Sequence, residues 1–363
     1  MQPPSRADCG SVVFYDPVCQ KPYDTDSVRQ AAAGGTEASV SRIADSIGAL
    51  VMQHNRTEAH GRYLPVQRVP GVTHVIVNRD SRALRRAREL YPEARLYLWV
   101  HHHFPLGSKL FLRFASTVPF LREMGVTIVC VSNQQRLELE KLLRLLDLQD
   151  RLSTVTIYNP VDDSLAPDGT AVDDRKLVFL SAPNKGLKFT LDAFRELRRR
   201  MPDLRLAVGD PGYRVKSWPP IEGVEYLGPL PQSQIHAQVR SALCVFFPNF
   251  VYPETFGLVL AESKALGTPC LTSDCGAAAE ILADPRQLMP VRSAEILYED
   301  LFRSMNMRWR AWPALLAARA GLFDRYVERI RAWRGGERPV VRPDPRFKLP
   351  NVAEEWRKLL SQA

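Results

Sequence analysis

Glu254 and Glu262 stand eight residues apart, and the stretch between them, Thr255-Phe256-Gly257-Leu258-Val259-Leu260-Ala261, is largely apolar. A helix that starts near Thr255 rises roughly 12 Å over eight residues. Two carboxylates at that separation match the two ends of a diphosphate carrying a sugar on each side. The free N–H groups and the dipole of such a helix favour the negative charge between them. One carboxylate then accepts hydrogen bonds from the hydroxyls of a sugar, and the other from those of a ribose.

Other residues of chemical interest sit where chain direction changes. Lys185 lies in the loop Ser181-Ala182-Pro183-Asn184-Lys185-Gly186, which follows an apolar run and precedes a helical pattern. A lysine there neutralises phosphate as a point charge; standing alone it is a solvated loop residue. Gly34-Gly35-Thr36-Glu37 precedes the helical pattern Ala38, Val40, Ile43, Ala44, Ile47, Leu50. A strand, a glycine turn and a helix bring backbone amides against a phosphate or a sugar, although a glycine pair also marks an ordinary turn. His101-His102-His103-Phe104 follows the apolar run Leu96–Val100. Neighbouring side chains diverge, so the three imidazoles do not converge on one ion. One of them reads as a neutral hydrogen-bonding group for a sugar, the alternative being a structural role. Asp24-Thr25-Asp26 has the D-x-D form of a metal loop but sits nine residues beyond the end of the nearest strand.

The elements that must position these residues alternate. Strands are expected at Ser11–Tyr15, Thr73–Val77, Arg95–Val100, Val126–Val131 and Thr154–Tyr158, separated by helical patterns at Ser81–Leu90, Lys109–Met124 and Gln134–Leu148. Turn residues Tyr158–Asp163 and polar Asp168–Asp174 form a linker. A second alternation follows: strands at Lys176–Leu180, Leu204–Val208, Val224–Leu227, Leu243–Phe247 and Thr268–Thr272, helices at Leu187–Arg200 and Gln232–Ser241, and one beginning near Gly276. Such alternation predicts α/β halves with mostly parallel sheets, whose ligands bind beyond the carboxyl ends of the strands. Past Pro290 the text becomes rich in tryptophan and arginine, from Trp309 to Trp333. It reads either as helices packed on the domain's own core or as an amphipathic face toward a membrane or acceptor. Val352–Leu360 reads as a final amphipathic helix.

The 363 residues suffice for about two domains, and 45% hydrophobic with 25% charged residues is typical of a soluble globular protein. The net charge of +9 comes without a nucleic-acid-binding motif, and it suits an anionic substrate or membrane surface equally well. No signal-peptide pattern and no apolar run of about 18 residues is evident. The six cysteines form no CxxC pair, and they are expected as buried free thiols in a reducing compartment.

Together the pieces YPETFGLVLAESKALGTPCLTSDCGAAAEIL, SAPNKGL, GGTEASVSRIAD, VCVSNQQR and IYNPVD resemble the retaining glycosyltransferases of the GT-B fold, family 4 type. The resemblance runs from the first strand to about Leu282, and the Asn351–Leu360 helix is similar to the family's final crossover. It implies two Rossmann-like, doubly wound domains facing a cleft. Residues 1–160 with about 345–363 form the acceptor side, and 161–344 bind the nucleotide sugar. It also implies transfer of a hexose-type sugar, without a metal or other cofactor, from a UDP- or GDP-linked donor. The acceptor is a glycan or lipid-linked molecule, as in polysaccharide or lipopolysaccharide synthesis. The expected place is the cytoplasm, at the inner face of the membrane, with peripheral contact to anionic lipid and no nucleic acid. Carried over by position, the catalytic residues are His101, Lys185 and Glu254, with His102 or His103 as alternatives for the histidine. The donor-binding set is Gly34, Gly35, Ser181, Lys185, Thr255, Phe256, Gly257 and Glu262. Many relatives have an arginine a few residues before the lysine, and here Ser181 offers a hydrogen bond but no charge. A nucleotide-sugar epimerase of the same architecture, or a binding protein without activity, is the competing reading.

Overall fold

The computed structural model describes residues 11–30, 34–105, 108–150, 152–183, 185–209, 220–228, 230–248, 253–291 and 312–362. Contacts divide the chain into one unit of Met1–Asp162 with Pro345–Ala363 and a second of Asp163–Asp344. Apolar runs become strands buried on both faces: every residue of Leu96–Val100 is buried, as parallel sheets covered by helices require.

In the first unit seven parallel strands are β1 Val12–Asp16, β2 Leu50–Gln53, β3 Tyr63–Pro65, β4 His74–Asn78, β5 Arg95–Val100, β6 Thr127–Cys130 and β7 Ser153–Thr156. Their order is β3-β2-β1-β4-β5-β6-β7, so the direction of winding reverses between β1 and β4. The helices are α1 Thr25–Gln30, α2 Gly35–Ile47, α3 Ala83–Leu90, α4 Lys109–Met124 and α5 Asn133–Leu145. Leu50, expected on the helix after the glycine pair, instead opens β2. Gly48 ends α2 with a left-handed φ of 74°, and the chain turns straight into the strand. The D-x-D segment forms the start of α1, where the Asp24 carboxylate accepts the Ser27 N–H at 2.8 Å and lies 3.3 Å from His60. The helix Leu349–Ser361 also belongs to this unit. Its fully buried Trp356 sets its ring edge against Phe14 at 5.4 Å and Trp99 at 5.2 Å.

The second unit holds β8 Asp173–Phe179, β9 Arg205–Gly209, β10 Val224–Gly228, β11 Ala242–Phe247, β12 Cys270–Ser273 and β13 Leu288–Met289, all parallel. They are ordered β10-β9-β8-β11-β12-β13, with the reversal between β8 and β11. Helices α6 Leu187–Arg200, α7 Gln232–Arg240, α8 Leu258–Ala265 and α9 Ala278–Leu282 connect them. The helix Trp312–Ala332 packs inward. Leu322, Tyr326, Val327, Ile330 and the following Trp333 are buried, with Tyr326 edge-on to Phe246 at 5.4 Å. From Leu322 onward, then, the apolar residues of the tryptophan- and arginine-rich stretch are core rather than a membrane-facing or acceptor-facing surface. Leu297–Met305 and Trp309 lie outside the described residues. Cys19, Cys130, Cys244 and Cys270 are buried free thiols and Cys275 is a partly buried one; Cys9 is outside the described residues.

Candidate active site

Two loops leave the second sheet at its reversal point, and each carries one of the anticipated residues. After β8 the loop through Ser181 reaches Lys185. Its Nζ donates to Glu254 Oε1 at 2.8 Å and Oε2 at 3.0 Å. Glu254 follows β11, so the contact sits between the two strands where the order of the sheet reverses, where ligands of open α/β sheets bind. The lysine side chain is 40% exposed and the glutamate 12%. This is therefore a partly desolvated pair with its cation toward solvent, not a screened surface contact.

Glycines with left-handed backbone shape both loops. Gly186, φ 98°, turns the chain from Lys185 into α6, and Gly257, φ 86°, turns it from Glu254 into α8. Helix α8 thus begins at Leu258 and not near Thr255, and Glu254 through Gly257 is non-helical. The reason is a short parallel bridge that Glu254 makes with Gly276, in which the Ala277 N–H donates to the Glu254 carbonyl at 2.9 Å. The straight eight-residue helical rise between the two glutamates is accordingly replaced by a bend through Thr255 and Phe256, a left-handed turn at Gly257 and then a helix. Glu262 lies on α8, partly buried. Thr255 sits in the bend that leads to Gly257. Phe256 is 1% exposed, so any part it takes in binding is through its backbone.

Gly276 was not among the anticipated site residues. Its φ is 62°, and a methyl group there would come within 2.5 Å of the Glu254 carbonyl oxygen and 2.9 Å of its nitrogen. Only glycine lets the two backbones lie this close. The sequence signal was its place opening the helix after β12, beside the other pieces.

In the first unit, Gly34 caps α2 and Gly35 is its first residue. Here too the reversal point of the sheet is furnished, with residues absent from the sequence-based set. Asp16, fully buried, ends β1. Arg79 follows β4, and its Nη2 donates to Asp16 at 3.2 and 3.3 Å and to Glu37 Oε1, in the first turn of α2, at 3.0 Å. Burial by itself lowers the Arg79 pKa, but the two carboxylates outweigh it and hold the guanidinium above its ordinary value. In the sequence Arg79 is the first of several arginines between Arg79 and Arg95 and carries no motif, and neither does a lone aspartate ending a strand.

The histidines follow β5. Burial, with a smaller contribution from Arg79, pushes His101 well below the usual histidine value, and the same two causes bring His102 down to about 4. Both are neutral imidazoles near pH 7. The His101 ring lies 4.4 Å from Trp99, centroid to centroid. His103 Nδ1 lies 2.6 Å from Glu138 on α5, and the His102 carbonyl accepts from Gln135 at 3.0 Å. Among the described residues, no group of three or more His, Cys, Asp or Glu side chains is arranged to hold a metal ion.

Comparison with known proteins follows the same lines. Residues 168–299, within the second unit, match the family described as glycosyl transferases group 1. A phosphatidyl-myo-inositol mannosyltransferase of Mycobacterium leprae is 32% identical over 125 residues, covering 33% of this chain and 33% of that protein. The matched stretch thus spans about a third of that relative's length. Among solved structures, HepE of Anabaena in complex with UDP and glucose superposes with a TM-score of 0.62 at 14% identity, over 97% of this chain and 100% of the other. Sucrose-phosphate synthase from Thermosynechococcus elongatus gives 0.60 at 16%, over 97% and 98%. The fold is GT-B.

Proposed function

We propose that the chain is a retaining glycosyltransferase. It moves a hexose-type sugar from a UDP- or GDP-linked donor to a glycan or lipid-linked acceptor in the synthesis of cell-surface polysaccharide or lipopolysaccharide. The observation that carries this reading is the contact of Lys185 with Glu254 at the reversal point of the sheet, inside the domain that matches glycosyl transferases group 1.

As the bond between the anomeric carbon and the diphosphate lengthens, negative charge grows on the phosphate oxygens and positive charge on the ring. Lys185 and the free N–H groups at the start of α8 stabilise the first. Glu254 keeps the ammonium oriented and accepts hydrogen bonds from sugar hydroxyls. Glu262 takes the hydroxyls of the ribose, and a neutral histidine after β5 takes a further sugar hydroxyl. The departing phosphate accepts the proton of the acceptor hydroxyl on the face it leaves, which retains configuration. Ser181 supplies a hydrogen bond where many relatives have a cation, so Lys185 bears more of the leaving-group charge.

The mannosyltransferase named above acts, by its name, on an inositol lipid, which supports a lipid-anchored acceptor. The first unit offers a face suited to an anionic membrane: Arg82 just before α3, Arg85 and Arg86 on it, and Lys109 and Arg113 of α4 are exposed, beside Leu110 and Leu112 at 39% and 58% exposure. No helix among the described residues is long and apolar enough to cross a membrane. The test is a panel of nucleotide sugars screened for thermal stabilisation, then for transfer and for the anomeric configuration of the product. Stabilisation by one donor and a product of retained configuration are expected. No stabilisation by any nucleotide sugar, or isomerisation of the donor without an acceptor, would sink the reading.

A further inference from the structure

Arg79 closes the end of the first sheet in a way the reaction above does not use. It holds a left-handed backbone, φ 68°, which a non-glycine residue keeps only when its surroundings over-determine it. Its Nη2 is shared between Asp16 and Glu37. Asp16 is itself fixed by the Tyr23 hydroxyl at 3.1 Å and the Val18 N–H at 3.2 Å, so the arginine ties the partly exposed Glu37 to a fully buried, anchored carboxylate. Glu37 stands three residues after the cap of α2 and folds back over it: a methyl on Gly34 would meet Glu37 Oε2 at 2.2 Å. The start of α2 therefore already carries an anion where its N–H groups would meet a phosphate. Two carboxylates against one guanidinium leave a net charge of −1 there, and without Arg79 it would be −2.

We propose that Arg79 is a positioning residue of the sugar-transfer reaction: it pins and neutralises the Glu37 carboxylate, so that a phosphate-bearing substrate meets the Gly34–Gly35 amides rather than a free anion. This rests on the function proposed above. The histidines after β5 report on the same charge. Arg79 and His102 act on His101, and Arg79, His103 and Asp80 act on His102, with burial the largest cause for both. Loss of the arginine raises both pKa values.

The test compares Arg79→Gln, Glu37→Gln and the double variant in KM for the nucleotide sugar, in binding of inorganic pyrophosphate, and in histidine titration by NMR. Arg79→Gln is expected to raise KM about tenfold, the size of a charge effect at a helix start, with kcat changed far less. Adding Glu37→Gln should restore KM, because the net charge there returns to −1, on the buried Asp16 alone, and no carboxylate then folds over the Gly34 cap. A purely structural arginine would not be rescued this way, since Asp16 stays unpaired. An unchanged KM in Arg79→Gln, or a raised KM that the second substitution leaves in place, overturns the inference. If the unaltered protein turns over no nucleotide sugar, the proposed reaction falls. Pyrophosphate affinity then decides by the same order of variants, equal affinities in all four proteins overturning the role of Arg79. Should Arg79→Gln fail to fold, Glu37→Gln alone decides: pyrophosphate binding equal or tighter supports the inference, and about tenfold weaker binding overturns it.

Discussion

Lys185 Nζ reaches both carboxylate oxygens of Glu254, at 2.8 and 3.0 Å, although 69 residues separate the two in the chain. The pair joins the group that would stabilise the leaving diphosphate to the group that would read the sugar, and each keeps the other in place. Lys185→Ala should lower kcat/KM by about 10²–10³-fold. It should also destabilise the second unit by about 1–3 kcal/mol, because the mostly buried carboxylate loses its partner. Lys185→Ala/Glu254→Ala should regain that stability and no activity. Thermal melts beside a transfer assay check both, and full turnover by Lys185→Ala would refute the assignment.

Gly276→Ala places a methyl 2.5 Å from the Glu254 carbonyl oxygen in a backbone that is left-handed, φ 62°. The conformation alone costs about 1 kcal/mol or more, and the bridge to Glu254 must open. Donor KM should rise about tenfold or more, since small displacements of positioned groups are costly. A variant with wild-type KM and melting temperature would show that Glu254 is not held this way.

His102, with its pKa brought down to about 4 chiefly by burial, gives stability a definite pH dependence. Between its unfolded value near 6.5 and about 4 the unfolded chain binds more protons than the folded one, so stability rises with pH there and falls as pH drops through that window. Melting temperatures from pH 4 to 7 should follow this slope, and His102→Gln should make it shallower, the buried His101 supplying a slope of the same sign. An unchanged slope in that variant would reject the assignment.

Trp356 is fully buried against Phe14 and Trp99, and Arg357 donates to the Ser46 carbonyl at 2.7 Å. Trp356→Ala should cost about 3–5 kcal/mol, felt by the first unit. Denaturant unfolding reads it as an earlier transition. Retained stability would mean that the last helix is not part of that core.

Much of the fold was legible because its signals are local. Leu96–Val100 and Leu243–Phe247 are apolar at every position, and α4 and α6 have the residue bounds that their periodicity and flanking turns predict. Strands β2 and β3 were not legible. They have four and three residues, and the first was masked by the helical pattern running into Leu50. The start of α8 was misplaced by three residues because the bridge from Glu254 to Gly276, which keeps Thr255-Phe256-Gly257 out of the helix, is a contact between distant parts of the chain.

By itself the sequence determined the alternation of strands and helices and the linker near Asp163, and it made Glu254 a candidate by its spacing to Glu262 and Lys185 one by the family resemblance of its loop. Tertiary structure alone decided which of these residues meet. Hydrophobic periodicity depends on neighbours a few residues away, whereas ion pairs and close backbone contacts depend on which strands lie side by side. Setting β8 beside β11 brought Lys185 to Glu254, and the bridge to Gly276 held that glutamate out of the helix. Setting β1 beside β4 brought Arg79 to Asp16 and, through it, to Glu37.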